Sequence, residues 1–190
     1  MVIRLRKSGK ILLCILCLIL LGFAVKFGID RYGDMAYPKK YSEIVTEYAK
    51  KYQVDEDLIY AVIKTESGFN PEAVSVNNAK GLMQITEDTF NWIGTKLGYT
   101  EYQHDDLFEP RIAIEYGTFF LSYLLDEFQN TDVALAAYHA GRGITNKWLQ
   151  DERYSSDGKT LTQIPYRDTA HYVQKVERYY HNYQRRSGAA

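Results

Sequence analysis

One acidic side chain stands where helix chemistry disfavours it. Apolar Ile59, Val62 and Ile63 recur at helical spacing, and Glu66 follows at i+7 from Ile59, on the same face. A carboxylate on an apolar stripe is out of place. It also lies in the last turn before Gly68, a natural helix stop, where the negative end of the helix dipole opposes an anion. Burial and the dipole both favour the protonated acid, the state that a general acid near neutral pH requires. The other acids nearby have simpler roles. Glu72 follows Pro71 in a loop, and Glu87 and Asp88 open a helix, where negative charge offsets the dipole. His104, His139, His171 and His181 form no i, i+4 pair and no HExxH motif, so no metal site is expected. No serine sits in a nucleophile elbow and no glycine-rich loop matches a phosphate cradle, so no cofactor is expected.

Helices must position this acid. Ser42 can cap a helix reaching about residue 52. Asp55 can cap the next, with Glu56 and Asp57 in its first turn. A loop, NPEAVSVNNAK, follows at 70–80, then a short helix at 81–85 and another at about 87–97, ended by Gly98. Residues 99–108 read as loop, and Pro110 opens a long amphipathic helix to about residue 128. A helix at 131–139, capped by Thr131, stops near Gly141; a short one fits 143–150, and the last runs over about 166–184. Phe119, Phe120, Leu121, Leu124 and Leu125 read as core. Trp92 leans to core, and Trp148 stays open between core and sugar platform. With no sustained period-two alternation, the body is expected to be a single all-α domain over residues 42–185.

The 190 residues are 46% hydrophobic and 25% charged, a globular balance. The net charge of −1 is unevenly spread: Arg4, Arg6, Lys7, Lys10 and Lys26 precede residue 31 against one acid, Asp30, which leaves the body mildly acidic. That argues against nucleic acid as a partner. Cys14 and Cys17 both fall in the uncharged run ILLCILCLILLGFAV at 11–25, so the body holds no disulfide or thiol nucleophile. The basic residues before this run favour a cytoplasmic N-terminus. With Lys26 snorkelling, the run extends to residue 29 and comes close to spanning a bilayer. Residues 1–30 therefore read as a basic stub and one N-terminal transmembrane helix, a signal anchor, with cleavage and secretion as the alternative. Residues 31–41 read as a juxtamembrane linker, and the body as extracytoplasmic.

Three motifs in order, ESGFNPEAVS at 66–75, GLMQI at 81–85 and ALAAYHAG at 134–141, together with PYRDTAHYV at 165–173, carry a resemblance. Over about residues 42–183 the chain resembles the lytic transglycosylase catalytic domain of the soluble murein transglycosylase type. The resemblance implies a lysozyme-like all-α fold with a groove, and peptidoglycan glycan strands as substrate. It makes Glu66 the single catalytic acid and places Ser75 near acid and substrate. Gly81, Leu82, Met83 and Gln84 line the groove, Tyr138 hydrogen-bonds or orients the glutamate, and Tyr172 lies near the cleft. His139 stands where the family usually has Asn and can replace its contact. Asn78 replaces a common glycine, Ala113 a frequent Asn and Ala170 a frequent Arg. The implied reaction protonates the oxygen between N-acetylmuramic acid and N-acetylglucosamine. Glu66 then accepts the proton of the muramyl C6 hydroxyl, which attacks its own C1 to leave a 1,6-anhydro end. A hydrolysing muramidase and a glycan-binding protein with a decayed site are the rival readings.

Overall fold

The computed structural model describes residues 7–188, with side chains at 15–28 and 31–188. The first residues of the basic stub, and the side chains at the start of the apolar run, lie outside that set. The chain divides into two units, one ending at Lys39 and one beginning at Lys40.

The first unit carries one helix, α1 (Lys7–Ala36), 30 residues long. At 1.5 Å per residue it extends about 45 Å. Apolar side chains point outward around it: Leu18, Phe23 and Phe27 are each 68% exposed. Among the described residues no helix is long and apolar enough to cross a membrane, and part of the expected span, residues 11–14, lies outside the side chains described. The helix continues through 31–36, so most of the expected linker is helical.

The second unit is helical, and among its described residues no strand forms. Its helices are α2 (Ser42–Tyr52), α3 (Glu56–Glu66), α4 (Glu87–Leu97), α5 (Pro110–Phe128), α6 (Thr131–Ala140), α7 (Arg142–Leu149) and α8 (Arg167–Ser187). A 3-10 turn at His104–Phe108 interrupts the loop expected at 99–108. Asp55 caps α3 as expected, its carboxylate accepting from the Asp57 N–H at 2.8 Å. Two other expected caps shift by one residue. Tyr41, left-handed and without a side-chain cap bond, precedes α2 in place of Ser42. Asn130, accepting from the Val133 N–H at 3.0 Å, caps α6 in place of Thr131. Residues 81–84 form turns rather than a helix, and Ile85 bridges back to Lys80.

Nearly every residue of α3 from Asp57 to Ile63 is buried, so this helix is wrapped on all sides. α8 packs along it, α6 lies between α5 and α8, and α2 lies against α5. Ile59, Ile63, Leu82, Met83, Ile114, Leu121, Leu135 and Val176 are closed to solvent. Gly117 of α5 belongs to this packing, since a Cβ there would stand 2.3 Å from the Met83 sulfur.

Asp57 and Glu115 are buried acids of these helices. Glu115 of α5 is 7% exposed. It accepts from Lys51 Nζ at 2.7 Å and from the hydroxyls of Tyr48, Tyr52 and Tyr99 at 3.1 Å each. Burial pushes its pKa up, but Lys51 and the tyrosine donors outweigh burial and hold it below the usual carboxylate value. Glu115 is an ionised hub joining α2, α5 and the segment after α4.

Candidate active site

Glu66 is the last residue of α3, and Ser67 follows as its cap. The Ser67 hydroxyl donates to the Leu82 carbonyl at 2.9 Å, which pins the end of α3 to the 81–84 segment. That segment is tightly built. Gly81 has a φ of +74°, and a Cβ there would stand 2.0 Å from the Leu107 carbonyl oxygen, so only glycine fits. Lys80 and Ile85 exchange backbone hydrogen bonds at 3.1 and 3.2 Å. Gln84, left-handed at φ 51°, donates its carboxamide to the carbonyls of Ala73 and Gly81 at 3.0 and 2.9 Å. Asn78 is also left-handed, at φ 57°, which explains why a glycine suits that position in the resembled family.

The carboxyl of Glu66 is driven by its surroundings. Burial raises its pKa from 4.5 to about 7, against smaller lowering effects of the Tyr172 hydroxyl and the Lys175 charge. No second carboxylate contributes to that shift. Two buried tyrosines lie close enough to feel Glu66, and burial pushes both hydroxyls well above their ordinary range. The Tyr172 hydroxyl faces Glu66 without a hydrogen bond of normal geometry to any described residue. Tyr138 donates to the Met83 carbonyl at 2.9 Å. Tyr138, expected to hydrogen-bond or orient the glutamate, thus braces the 81–84 backbone beside Glu66.

His139 stacks on Tyr172 with ring centroids 4.6 Å apart, and its Nδ1 lies 3.1 Å from the buried Thr169 hydroxyl. Burial lowers its pKa below the ordinary value, so the ring favours its neutral form. Tyr138 and His139 line a cleft of about 470 Å³, whose other walls include Asp88, Thr89, Trp92, Phe120 and Arg142. Trp92 is half-buried on that wall, edge-on to Tyr123 at 4.8 Å, whereas Trp148 is buried against Tyr166 and belongs to the core. A larger hollow of about 580 Å³ lies on the other face of α4, among Tyr99, Tyr102 and Tyr116, and contains none of the expected site residues.

The remaining expected residues are placed differently from one another. The side chains of Leu82 and Met83 are fully buried and their carbonyls are engaged by Ser67 and Tyr138, so neither side chain reaches a groove. The Ser75 hydroxyl accepts from the Asn77 and Ala79 N–H groups at 3.3 and 3.0 Å and shapes its own turn. Ala113 is buried beside Gly81. Lys175 was not anticipated, although it follows Tyr172 at i+3 and so shares its helix face. Among the described residues no His, Cys, Asp and Glu cluster could hold a metal.

A carboxyl whose pKa burial raises to about 7, beside tyrosines and an aromatic-walled cleft, can both release and take up a proton near neutral pH. Known proteins share this arrangement's frame. The chain is 31% identical over 146 residues to the soluble lytic murein transglycosylase of Salmonella typhimurium, covering 75% of this chain and 23% of that protein. It is 33% identical over 172 residues to the membrane-bound lytic murein transglycosylase C of Serratia proteamaculans, covering 77% of this chain and 47% of that one. It thus spans about a quarter to a half of these relatives' length. An inactive mutant of the lytic transglycosylase Slt from Pseudomonas aeruginosa superposes with a TM-score of 0.72 at 31% identity, over 82% of this chain and 26% of that one. The 70-kDa soluble lytic transglycosylase of Escherichia coli gives a TM-score of 0.73 at 26% identity, over the same 82% of this chain and 26% of that one. The family model for the transglycosylase SLT domain matches residues 43–161, which takes in α3, the pinned loop, the cleft wall and α6. By sequence and by fold, the chain belongs to the transglycosylase SLT domain family.

Proposed function

We propose that the protein is a membrane-anchored lytic transglycosylase of peptidoglycan. It cuts the β-1,4 bond between N-acetylmuramic acid and N-acetylglucosamine without adding water. Glu66 gives its proton to the bridging oxygen as that bond breaks. The resulting carboxylate then takes the proton of the muramyl C6 hydroxyl as that oxygen bonds to C1, closing the 1,6-anhydro ring. Proton and electron count balance within one strand. The observation that carries this reading is a lone buried carboxyl held near pKa 7, with no second carboxylate in its field. An acid of that pKa is poised both to donate and to accept near neutral pH. A single carboxyl suits an internal nucleophile, because tethering supplies a high effective concentration without a positioned water. Tyr138 and Tyr172 set the acid's surroundings, His139 lines the cleft, and the 81–84 backbone supports them.

The anchor is α1. Its outward apolar side chains need a non-aqueous cover, and the basic residues before it favour a cytoplasmic start. Several relatives are named membrane-bound lytic murein transglycosylases. The catalytic unit then faces the cell wall, limited to glycan near the membrane. Alkaline carbonate washing is expected to leave the full chain in the membrane pellet; release into the wash would remove the anchor.

Mass spectrometry of glycan digested by the detergent-solubilised full chain tests the reaction. The expected products end in anhydro-muramyl sugars, and Glu66→Gln yields no soluble fragments while unfolding cooperatively. Products one water heavier would make the protein a muramidase. Binding without release of fragments would make it a glycan-binding protein.

A further inference from the structure

Gly94 lies inside α4, where glycine weakens a helix. A Cβ there would stand 3.3 Å from the Tyr99 carbonyl oxygen and 3.6 Å from the Tyr116 hydroxyl. Its absence opens the floor of the hollow of about 580 Å³ on the face of α4 turned away from the cleft. That volume falls within the range of small-molecule sites. Tyr116 is 1% exposed, and its hydroxyl bonds no other described residue. Unlike the Tyr172 hydroxyl, it is not sealed from solvent, so it opens on the hollow. Burial, with Glu101 and Glu115 nearby, pushes its pKa up to about 12, which keeps it a donor. A buried donor without an acceptor is unfavourable, and a ligand that accepts from it removes that penalty.

The rings around this hydroxyl form a corner. Phe90 stacks on Tyr116 at 4.8 Å and fixes its plane. Tyr102 stands nearly perpendicular to both Tyr99 and Tyr116, at 5.7 and 6.4 Å. Tyr99 gives its hydroxyl to Glu115, so the ionised hub holds that wall in place. No lysine or arginine lines the hollow, and Glu87 brings a negative charge to it. An anionic ligand therefore meets repulsion and no partner. A purely apolar ligand would leave the Tyr116 hydroxyl unmatched. A neutral ligand with apolar faces and several hydroxyl or amide oxygens meets both demands, and an uncharged amino sugar is such a ligand.

We propose that this hollow binds an uncharged N-acetylated sugar unit of glycan that is not being cut, with an oxygen of that sugar accepting from the Tyr116 hydroxyl. Such a site goes beyond the reaction above and depends on that reading only for the source of the sugar. The two faces of α4 then hold glycan at two places, one in the cleft of Trp92 and Tyr138 and one in the tyrosine corner. The second hold keeps the protein on the wall between cuts.

NMR of the full-length Glu66→Gln protein in detergent, with isotope-labelled tyrosine rings, follows both places at once. The probe is the tetramer of N-acetylglucosamine. The Tyr99 and Tyr102 signals are expected to shift on a saturation curve of their own, distinct from that of Tyr138 in the cleft. Tyr116→Phe keeps the ring and removes the hydroxyl. It is expected to weaken the Tyr99 and Tyr102 curve about threefold to tenfold and to leave the Tyr138 curve unmoved. Tyr102→Ala, which removes a partly exposed wall, is expected to abolish saturation at Tyr99. Hollow signals that never shift, that follow the Tyr138 curve, or that Tyr116→Phe leaves unchanged overturn the proposal. So does a lysine-rich peptide that shifts them at lower concentration than the sugar, since Glu87 would then be reading an amine. If the wild type leaves no anhydro ends yet the hollow curve and its response to Tyr116→Phe hold, the reaction fails and this site stands.

Discussion

Two glutamates of one domain occupy opposite electrical states. Glu66 ends α3 among tyrosines, with its pKa raised to about 7. Glu115, in the middle of α5, meets an ammonium and three phenol hydroxyls and is held below the ordinary value. Burial acts on both in the same direction. The partners decide the outcome: four donors converge on Glu115, whereas around Glu66 Tyr138 donates elsewhere and the Tyr172 hydroxyl and Lys175 charge lower its pKa by less than burial raises it. A buried acid becomes a structural post when its donors outweigh burial and a reactive group when burial outweighs them.

The largest effect expected from breaking this contrast is at the post. Glu115→Ala removes the shared acceptor of Lys51, Tyr48, Tyr52 and Tyr99, and should cost about 3 kcal/mol of stability. Urea unfolding measures this, with activity at low urea falling only as the folded fraction falls. The reverse is expected at the reactive acid. The folded state holds the Glu66 proton more tightly than the unfolded chain does. The stability this contributes is complete below pH 4.5 and is lost as pH rises through about 7. Glu66→Gln should therefore leave the unfolding free energy unchanged near pH 4 and raise it above pH 7 by about 1 kcal/mol, a value trimmed for the partial exposure of the residue, read from melting curves at the two pH values. A melting curve shifted equally at both pH values would show that the acid carries no such penalty.

Smaller changes sharpen the comparison. Because the pKa of Glu115 is depressed, its contribution is present above pH 4.5 and is lost as pH falls through its lowered value. Acid titration of stability should show this limb in the wild type and lose it in Glu115→Gln. Tyr99→Phe deletes one of the four donors and should cost about 1 kcal/mol or less, read from the denaturation midpoint, with the pKa of Glu66 in NMR titration unmoved.

How readily each acid was found in the sequence follows from the range of its contacts. Glu66 stood out because its oddness is local: an acid on an apolar stripe, just ahead of a glycine. Glu115 passed as one charge on a long amphipathic helix, since its partners on α2 lie 63 to 67 residues away and no nearby pattern announces them. Helix spans were legible for the same reason as Glu66, through periodicity, Pro110 and Gly98. The caps at Tyr41 and Asn130 were not, because a serine or threonine next door offered the usual signal. Residues 81–85 looked helical by their apolar content. Residues 81–84 form turns because Gly81 and Gln84 both adopt left-handed backbone that breaks a helix. Leu82 and Met83, read as groove-lining, face the core because that broken backbone turns them inward.

The carboxamide of Gln84 gives this region a chemical vulnerability. Its nitrogen serves two main-chain oxygens at once, those of Ala73 and Gly81. Spontaneous loss of ammonia from that side chain would change a single atom and leave its size intact. It would also set a negative oxygen against two others with no proton between them. The strap over the end of α3 would then push itself apart, so chemical ageing at one amide would loosen the ground beneath an acid that it never touches.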